Sequence, residues 1–237
     1  MTKPSLILIP GLVCNEKLWR HQIDALQDTH DIIVVNHDHA DGLVSLARSI
    51  LDLTSGDFSI AGHSMGGYIT FEVWRQAVIV MEEKRIERMA LIGTQARTDD
   101  ARMEKGRRDF IKLAKRGRFK GMSPTLIKNF LAPQSLKDKK ITSLVYEMAT
   151  DTGPDGFINQ SEIILQRPDS RATLMEITCP TMVLVGEQDK RTPPELAREM
   201  ADAIPKAHLV TIPNCGHLPM IEQPEAVTKA MKDWLGI

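Results

Sequence analysis

Gly62-His63-Ser64-Met65-Gly66-Gly67 decides how this chain of 237 residues is read. Before it, the apolar run Phe58-Ser59-Ile60-Ala61 reads as a buried strand; after it, Tyr68 to Met81 has the apolar spacing of a helix. A G-x-S-x-G between strand and helix is the pattern of a nucleophile elbow, which holds a serine on a sharp turn with its hydroxyl exposed. The glycines are steric requirements. The turn places Ser64 at a sparsely allowed backbone angle, and only small neighbours at Gly62 and Gly66 fit beside it.

Serine is a weak nucleophile at its free pKa and needs an adjacent base. A neutral imidazole serves, provided a carboxylate fixes its tautomer and stabilises the imidazolium that forms. Downstream, Gly186-Glu187-Gln188-Asp189 closes the strand pattern Met182–Val185, and Asn214-Cys215-Gly216-His217 follows the strand pattern His208–Ile212. Ser64, Asp189 and His217 thus all stand just past strand ends, the edge at which open α/β sheets build their sites. Their order, serine then acid then histidine, is the one that belongs with this elbow. Glu187 competes as the acid but lies closer to its strand, and Glu222 reads as the start of the next helix.

Six short runs rich in Ile, Val and Leu read as strands: Ser5–Pro10, Ile32–Asn36, Phe58–Gly62, Met89–Gly93, Met182–Gly186 and His208–Ile212. Helical patterns alternate with them at Trp19–Leu26, Leu43–Leu53, Met65–Met81, Pro194–Ala203 and Pro224–Leu235. That alternation predicts an α/β fold, a mostly parallel sheet flanked by helices on both faces. The stretch 95–177 breaks the rhythm with mainly helical patterns, which predicts a cap inserted into a core made of residues 1–94 and 178–237. Residues 102–120 carry nine Lys or Arg against Glu104 and Asp109. Such a run reads first as a solvated helix face, and in its sharper form as a feature that attracts an anionic substrate. Phe110, Phe130, Tyr146 and Phe157 are candidates either for pocket lining or for the cap's own small core.

Together these pieces resemble the α/β-hydrolase fold family, in its esterase, lactonase and C–C-hydrolase branch. The likeness runs from Ile9-Pro10-Gly11 through the elbow, resumes at Cys179-Pro180-Thr181, and ends at Gly216-His217. It implies Ser64 as nucleophile, Asp189 as acid and His217 as base. It also implies an oxyanion hole of two backbone N–H groups, that of Met65 and that of Leu12 in the Pro10-Gly11-Leu12 loop. Pro10 stands where family members carry histidine. Members also carry a longer loop after the second strand, shortened here to His37-Asp38-His39-Ala40-Asp41-Gly42; part of one pocket wall is then lost or is filled by the cap. A polar loop whose Asp38 or Asp41 caps the following helix is preferred to a metal site, since no distant Cys or His partner is evident. His63, inside the elbow, reads as a packing or pocket-side residue.

The leading reading is a hydrolase of small-molecule carboxylic esters, with no cofactor and no metal. Lactonase, thioesterase or C–C hydrolase chemistry on the same triad remains open, as does a slow-turnover ligand-binding signalling protein on the same fold. An aspartate at position 64 would have meant dehalogenase or epoxide hydrolase chemistry, and serine disfavours both. A net charge of −1 gives no argument for nucleic acid as a partner, and no apolar run approaches the ~20 residues of a membrane span. Cys14, Cys179 and Cys215 lack paired spacing and read as reduced thiols of a cytoplasmic protein, with oxidation or alkylation at Cys215 disturbing the loop of His217.

Overall fold

The computed structural model describes residues 3–119 and 121–237; Met1, Thr2 and Lys120, the last of the nine basic residues, lie outside the described residues. Six strands form one sheet: β1 (Ser5–Ile9), β2 (Asp31–Val34), β3 (Phe58–His63), β4 (Ile86–Ile92), β5 (Thr181–Gly186) and β6 (Ala207–Ile212). All pair in parallel in the order β2-β1-β3-β4-β5-β6. The chain leaves β1 toward one edge and returns at β3 on its other side. The crevice between the carboxyl ends of β1 and β3 is therefore a topological switch point, the place where open parallel sheets bind ligands.

Side-chain alternation along β1 divides the core. Ile7 and Ile9 face the layer of α2 (Leu43–Leu51), α3 (Met65–Ile79) and α7 (Pro194–Ala203), whereas Leu6 and Leu8 face α1 (Arg20–Leu26) and α9 (Pro224–Leu235). Both faces of the sheet are covered, so β3 and β5 are buried along their whole length. Pro194 and Pro224 occupy the first helical turn, where a missing N–H costs nothing. The strands and helices match the sequence reading to within a few residues. The expected helix Trp19–Leu26 resolves into a 3-10 turn at Glu16–Trp19 and α1, and the one-turn α8 (Pro219–Glu222) was too short to show a period.

Between β4 and β5 the chain forms α4 (Ala101–Lys115), α5 (Lys139–Gln166) and the short α6 (Arg171–Leu174). Asp100 caps α4 by accepting the Met103 N–H. α5 is broken at Gly153 (φ 62°, ψ −176°), directly before Pro154, so its two halves are separate helical segments meeting at a kink. Among the described residues no helix is long and apolar enough to cross a membrane.

Candidate active site

Ser64 sits between β3 and α3 at φ 52°, a left-handed angle that a residue with a Cβ adopts only under constraint. The constraint is visible: its N–H donates to the Ile92 carbonyl (2.9 Å), and its own carbonyl accepts the Thr94 hydroxyl (2.8 Å) and the Gly67 N–H (3.0 Å). A Cβ at Gly66 would collide with the Ile9 carbonyl, and one at Gly62 with the Gly66 carbonyl. The glycines of the elbow are thus required by backbone packing against β1 and the first turn of α3.

The structure brings the three polar residues together. His217 Nε2 lies 3.0 Å from Ser64 Oγ, and His217 Nδ1 lies 2.8 Å from Asp189 Oδ2. Asp189 is almost wholly buried. Burial pushes its carboxyl pKa up, but the charge and hydrogen bond of His217, then the Thr192 N–H and hydroxyl, outweigh this and hold it below the ordinary value. All its acceptor positions are used: Oδ1 takes the N–H groups of Arg191 (2.7 Å) and Thr192 (3.0 Å), while Oδ2 takes the Thr192 hydroxyl (2.8 Å) and His217. An ionised Asp189 accepts only, so Nδ1 of His217 carries a proton. In the neutral ring Nε2 is then an acceptor, aimed at the Ser64 hydroxyl.

His63 is not a second base. It is fully buried, its Nε2–H donates to the His217 carbonyl (2.8 Å), and burial followed by the charge of His217 lowers its pKa to about 3. Glu187 accepts the Asn214 N–H (3.2 Å) at an exposed position and does not reach His217. Glu222 ends α8 rather than starting the next helix, which begins at Pro224. Its buried carboxylate accepts the N–H groups on both sides of His217, from Gly216 and Leu218 (3.1 Å each), and a third from Ala132 (2.8 Å). The His217 N–H itself donates to the Phe130 carbonyl (2.6 Å). Thr192 and Glu222 therefore orient Asp189 and the loop of His217. Neither was readable from sequence, because each acts through a turn too short to carry a period.

Leu12 and Met65 flank the switch point, on the loop after β1 and at the first turn of α3. Neither N–H has an acceptor among the described residues, and Met65 also stands at the positive end of the helix dipole. The shortened loop after β2 departs from expectation. Neither Asp38 nor Asp41 caps α2: its first N–H, that of Leu43, donates instead to Gln166 Oε1 (2.8 Å) of α5. The Asn159 side-chain amide donates to the Ala40 carbonyl (2.8 Å), so the second half of α5 packs on the short loop. His37 is buried and donates from Nε2 to the Pro10 carbonyl (3.0 Å).

A cavity of about 40 Å³ holds Ser64 and His217 in its wall with Leu12, Tyr68 and Gln95. Beside it lies a larger cavity of about 300 Å³, and the two share Leu12, Arg107, Phe130 and Arg191. Phe110, Phe130 and Phe157 line the larger cavity, whereas Tyr146 lines neither cavity and is half-buried against the core cluster of Leu6 and Leu8. The Phe130 ring meets the His217 ring edge-on at 5.6 Å, and the Arg191 guanidinium lies over its face at 5.2 Å.

The chain is similar in sequence to the pimeloyl-[acyl-carrier protein] methyl ester esterase of Nitrosomonas europaea, with 24% identity over 94% of this chain and 92% of that protein. A thermophilic esterase from Thermogutta terrifontis, solved with malate bound, superposes with a TM-score of 0.87 at 27% identity, covering 99% of this chain and 90% of the other. The enol-lactonase of Burkholderia xenovorans LB400 shares the fold at a TM-score of 0.86 and 22% identity, covering 100% and 93%. The family model described as the alpha/beta hydrolase family matches residues 6–230, nearly the whole of the sheet and everything inserted in it, and the chain belongs to that family.

Proposed function

We propose that the protein hydrolyses carboxylic esters of small molecules, with Ser64 as nucleophile, His217 as base and Asp189 as the carboxylate that orients it. The observation that carries this reading is the continuous chain Ser64 Oγ–His217–Asp189 at 3.0 and 2.8 Å, with the hydroxyl facing a cavity. Ser64 Oγ attacks the ester carbonyl carbon as its proton passes to His217 Nε2. The oxyanion turns toward the N–H groups of Leu12 and Met65, where losing one such donor costs on the order of 10²–10³ in kcat. Collapse of the tetrahedral intermediate expels the alcohol, which takes the proton from His217. Water, activated by the same imidazole, then releases the acid and regenerates Ser64. Residues 95–177 act as a cap over a core of residues 1–94 and 178–237, and the 300 Å³ cavity under α4 receives the non-reacting part of the substrate. The three free thiols suit a reducing compartment, the cytoplasm.

The test is turnover of p-nitrophenyl esters together with labelling by a fluorophosphonate. Ser64→Ala is expected to abolish labelling and to lower kcat by about 10⁶, the usual consequence of losing the nucleophile. Hydrolysis that persists in Ser64→Ala, or tight ligand binding without turnover in the wild type, would overturn the reading.

A further inference from the structure

We propose, building on the ester-hydrolase reading, that the substrate carries a carboxylate on an apolar chain and that Arg118 and Arg191 receive this anion. The larger cavity is walled mainly by hydrocarbon from Phe110, Leu113, Phe119, Leu126 and Phe157, and no carboxylate among the described residues lines it. Three guanidiniums do: Arg107, Arg118 and Arg191. Arg107 is already paired with the buried Asp99 (3.0 Å), a carboxylate it shares with Arg167 (2.8 Å). Arg118 and Arg191 have no carboxylate partner among the described residues.

The outer face of α4 is built differently. Lys105 and Lys112 pair with Asp109, Arg108 with Glu104 and Lys115 with Glu162. Arg102 and Arg116 are exposed and line neither cavity. Much of the basic run is thus a solvated, paired face, while Arg118, exposed like Arg102 and Arg116, differs from them in lining the cavity together with Arg191. A pocket for a neutral chain needs no such charge. Arg118 and Arg191 are both exposed, so each guanidinium is free to meet a ligand anion, and a guanidinium fork matches a carboxylate in shape as well as charge.

The experiment compares mono-p-nitrophenyl adipate, whose chain ends in a carboxylate, with p-nitrophenyl hexanoate, whose chain ends in a methyl. The charged ester is expected to have a kcat/KM about tenfold higher in 20 mM salt, an advantage that shrinks in 500 mM salt. Arg118→Gln and Arg191→Gln should each lower the adipate-to-hexanoate ratio severalfold. A higher kcat/KM for hexanoate, or a ratio indifferent to both substitutions and to salt, would overturn the proposal while leaving the ester-hydrolase reading intact. Failure of both esters to turn over, with Ser64 unlabelled, would bring down that reading and the proposal with it.

A separate observation concerns the loop that carries Leu12. Val13, the next residue, is β-branched yet sits at φ 53°, and its N–H donates to Gln160 Oε1 at 2.7 Å. Gln160 is fully buried in α5, and its Nε2 donates to Asp38 Oδ1 at 2.6 Å. Asp38 lies over Gly156, one turn earlier on the same helix, where a Cβ would stand 3.4 Å from the Asp38 carboxyl carbon. We infer that Gln160 is a positioning residue: it holds the strained Val13 and so aims the Leu12 N–H at the oxyanion.

Exchanging the two polarities tests this. Gln160→Glu still accepts from Val13 but sets one carboxylate against another at Asp38, and Asp38→Asn in the same chain supplies the missing donor. Gln160→Ala and Gln160→Glu are expected to lower kcat about 10- to 100-fold with KM nearly unchanged, and to weaken a boronic acid that mimics the tetrahedral adduct by a similar factor. The Asp38→Asn/Gln160→Glu pair should return kcat to within about threefold of wild type. Wild-type kcat in Gln160→Ala would overturn the inference. So would a double variant no better than Gln160→Glu, because the contact would then serve folding alone.

Discussion

The carboxyl edge of the sheet and the helical segment above it are built by opposite means. At the sheet edge, Ser64, Asp189 and His217 come from three short loops whose backbone groups are tied by Ile92, Thr94, Phe130 and Glu222, while Thr192 donates to the Asp189 carboxylate. In the segment between β4 and β5, the cavity is walled by side chains that stand partly in solvent, Phe110 at 52% and Leu113 at 40% exposure. The lesson is a division of labour. Backbone sterics hold the Ser64–His217–Asp189 chain in place, whereas replaceable side chains wall the cavity; on the proposed function the first would break the bond and the second would choose the substrate.

The comparison makes its largest prediction at Asp189. Asp189→Asn can no longer hold His217 in the tautomer that leaves Nε2 free, and kcat should fall about 10⁴-fold. Glu187→Gln, only two residues away but exposed, should change kcat less than about threefold. Steady-state rates of the two variants decide it. A dead Glu187→Gln would break the assignment of the acid.

Acid stability should follow the sheet edge as well. The folded pKa of His63 is depressed to about 3 by burial and by the charge of His217, against about 6.5 in an unfolded chain. Between those values the unfolded chain binds the proton and the folded one does not, so stability is full above pH ~6.5 and is lost as pH falls. His37, lowered by burial, acts in the same direction, and Asp189 adds to the loss at lower pH. The expected cost near pH 4 is a few kcal/mol. Melting temperature should be flat from pH 7 to 8 and drop steeply between 6 and 4, and His63→Gln should flatten that drop. The ion pairs on α4 are exposed and contribute little. A variant whose profile runs parallel to wild type would place the acid sensitivity elsewhere.

The same division explains what the sequence discloses. Gly62 and Gly66 had to be glycine because carbonyl groups pass where their side chains would be, and a constraint of that kind leaves a mark at fixed spacing. Asp189 and His217 were legible because strand periodicity places the loop that follows each strand. Glu222, Thr192 and Gln160 were not. Each makes its contact through one side-chain oxygen or amide, on a partner 6, 3 or 147 residues away, and no period or spacing encodes that. The cap of α2 was misread for this reason. Asp38 and Asp41 have the right chemistry at the right distance, but Gln166 arrives from 123 residues downstream and takes the N–H.

If side chains of the insertion choose the substrate, trimming one should alter preference without harming the chemistry. Phe157 stacks on Phe119 with ring centroids 4.8 Å apart, and both line the larger cavity. Phe157→Ala should raise KM for hexanoyl esters roughly tenfold, a loss of about 1.4 kcal/mol of apolar contact, and barely affect acetyl esters. A kcat that fell equally for both chain lengths would mean the insertion also shapes the reacting centre.

The smallest expected effect tests how closed the sheet edge is. Cys215 lies two residues before His217, so an adduct on its sulfur would push directly on the histidine loop. Yet the thiol is fully buried, and burial, then the charges of Glu222 and Asp189, drive its pKa well above the ordinary value. Only the thiolate is nucleophilic, and here it is neither formed nor reachable. Iodoacetamide at pH 7.5 is therefore expected to leave activity unchanged over hours, in wild type and in Cys215→Ser alike, with intact-protein mass showing no adduct at Cys215. Rapid alkylation with loss of activity, absent in Cys215→Ser, would show that the loop opens readily. The sheet edge would then be as adjustable as the segment above it, and the contrast between the two regions would fail.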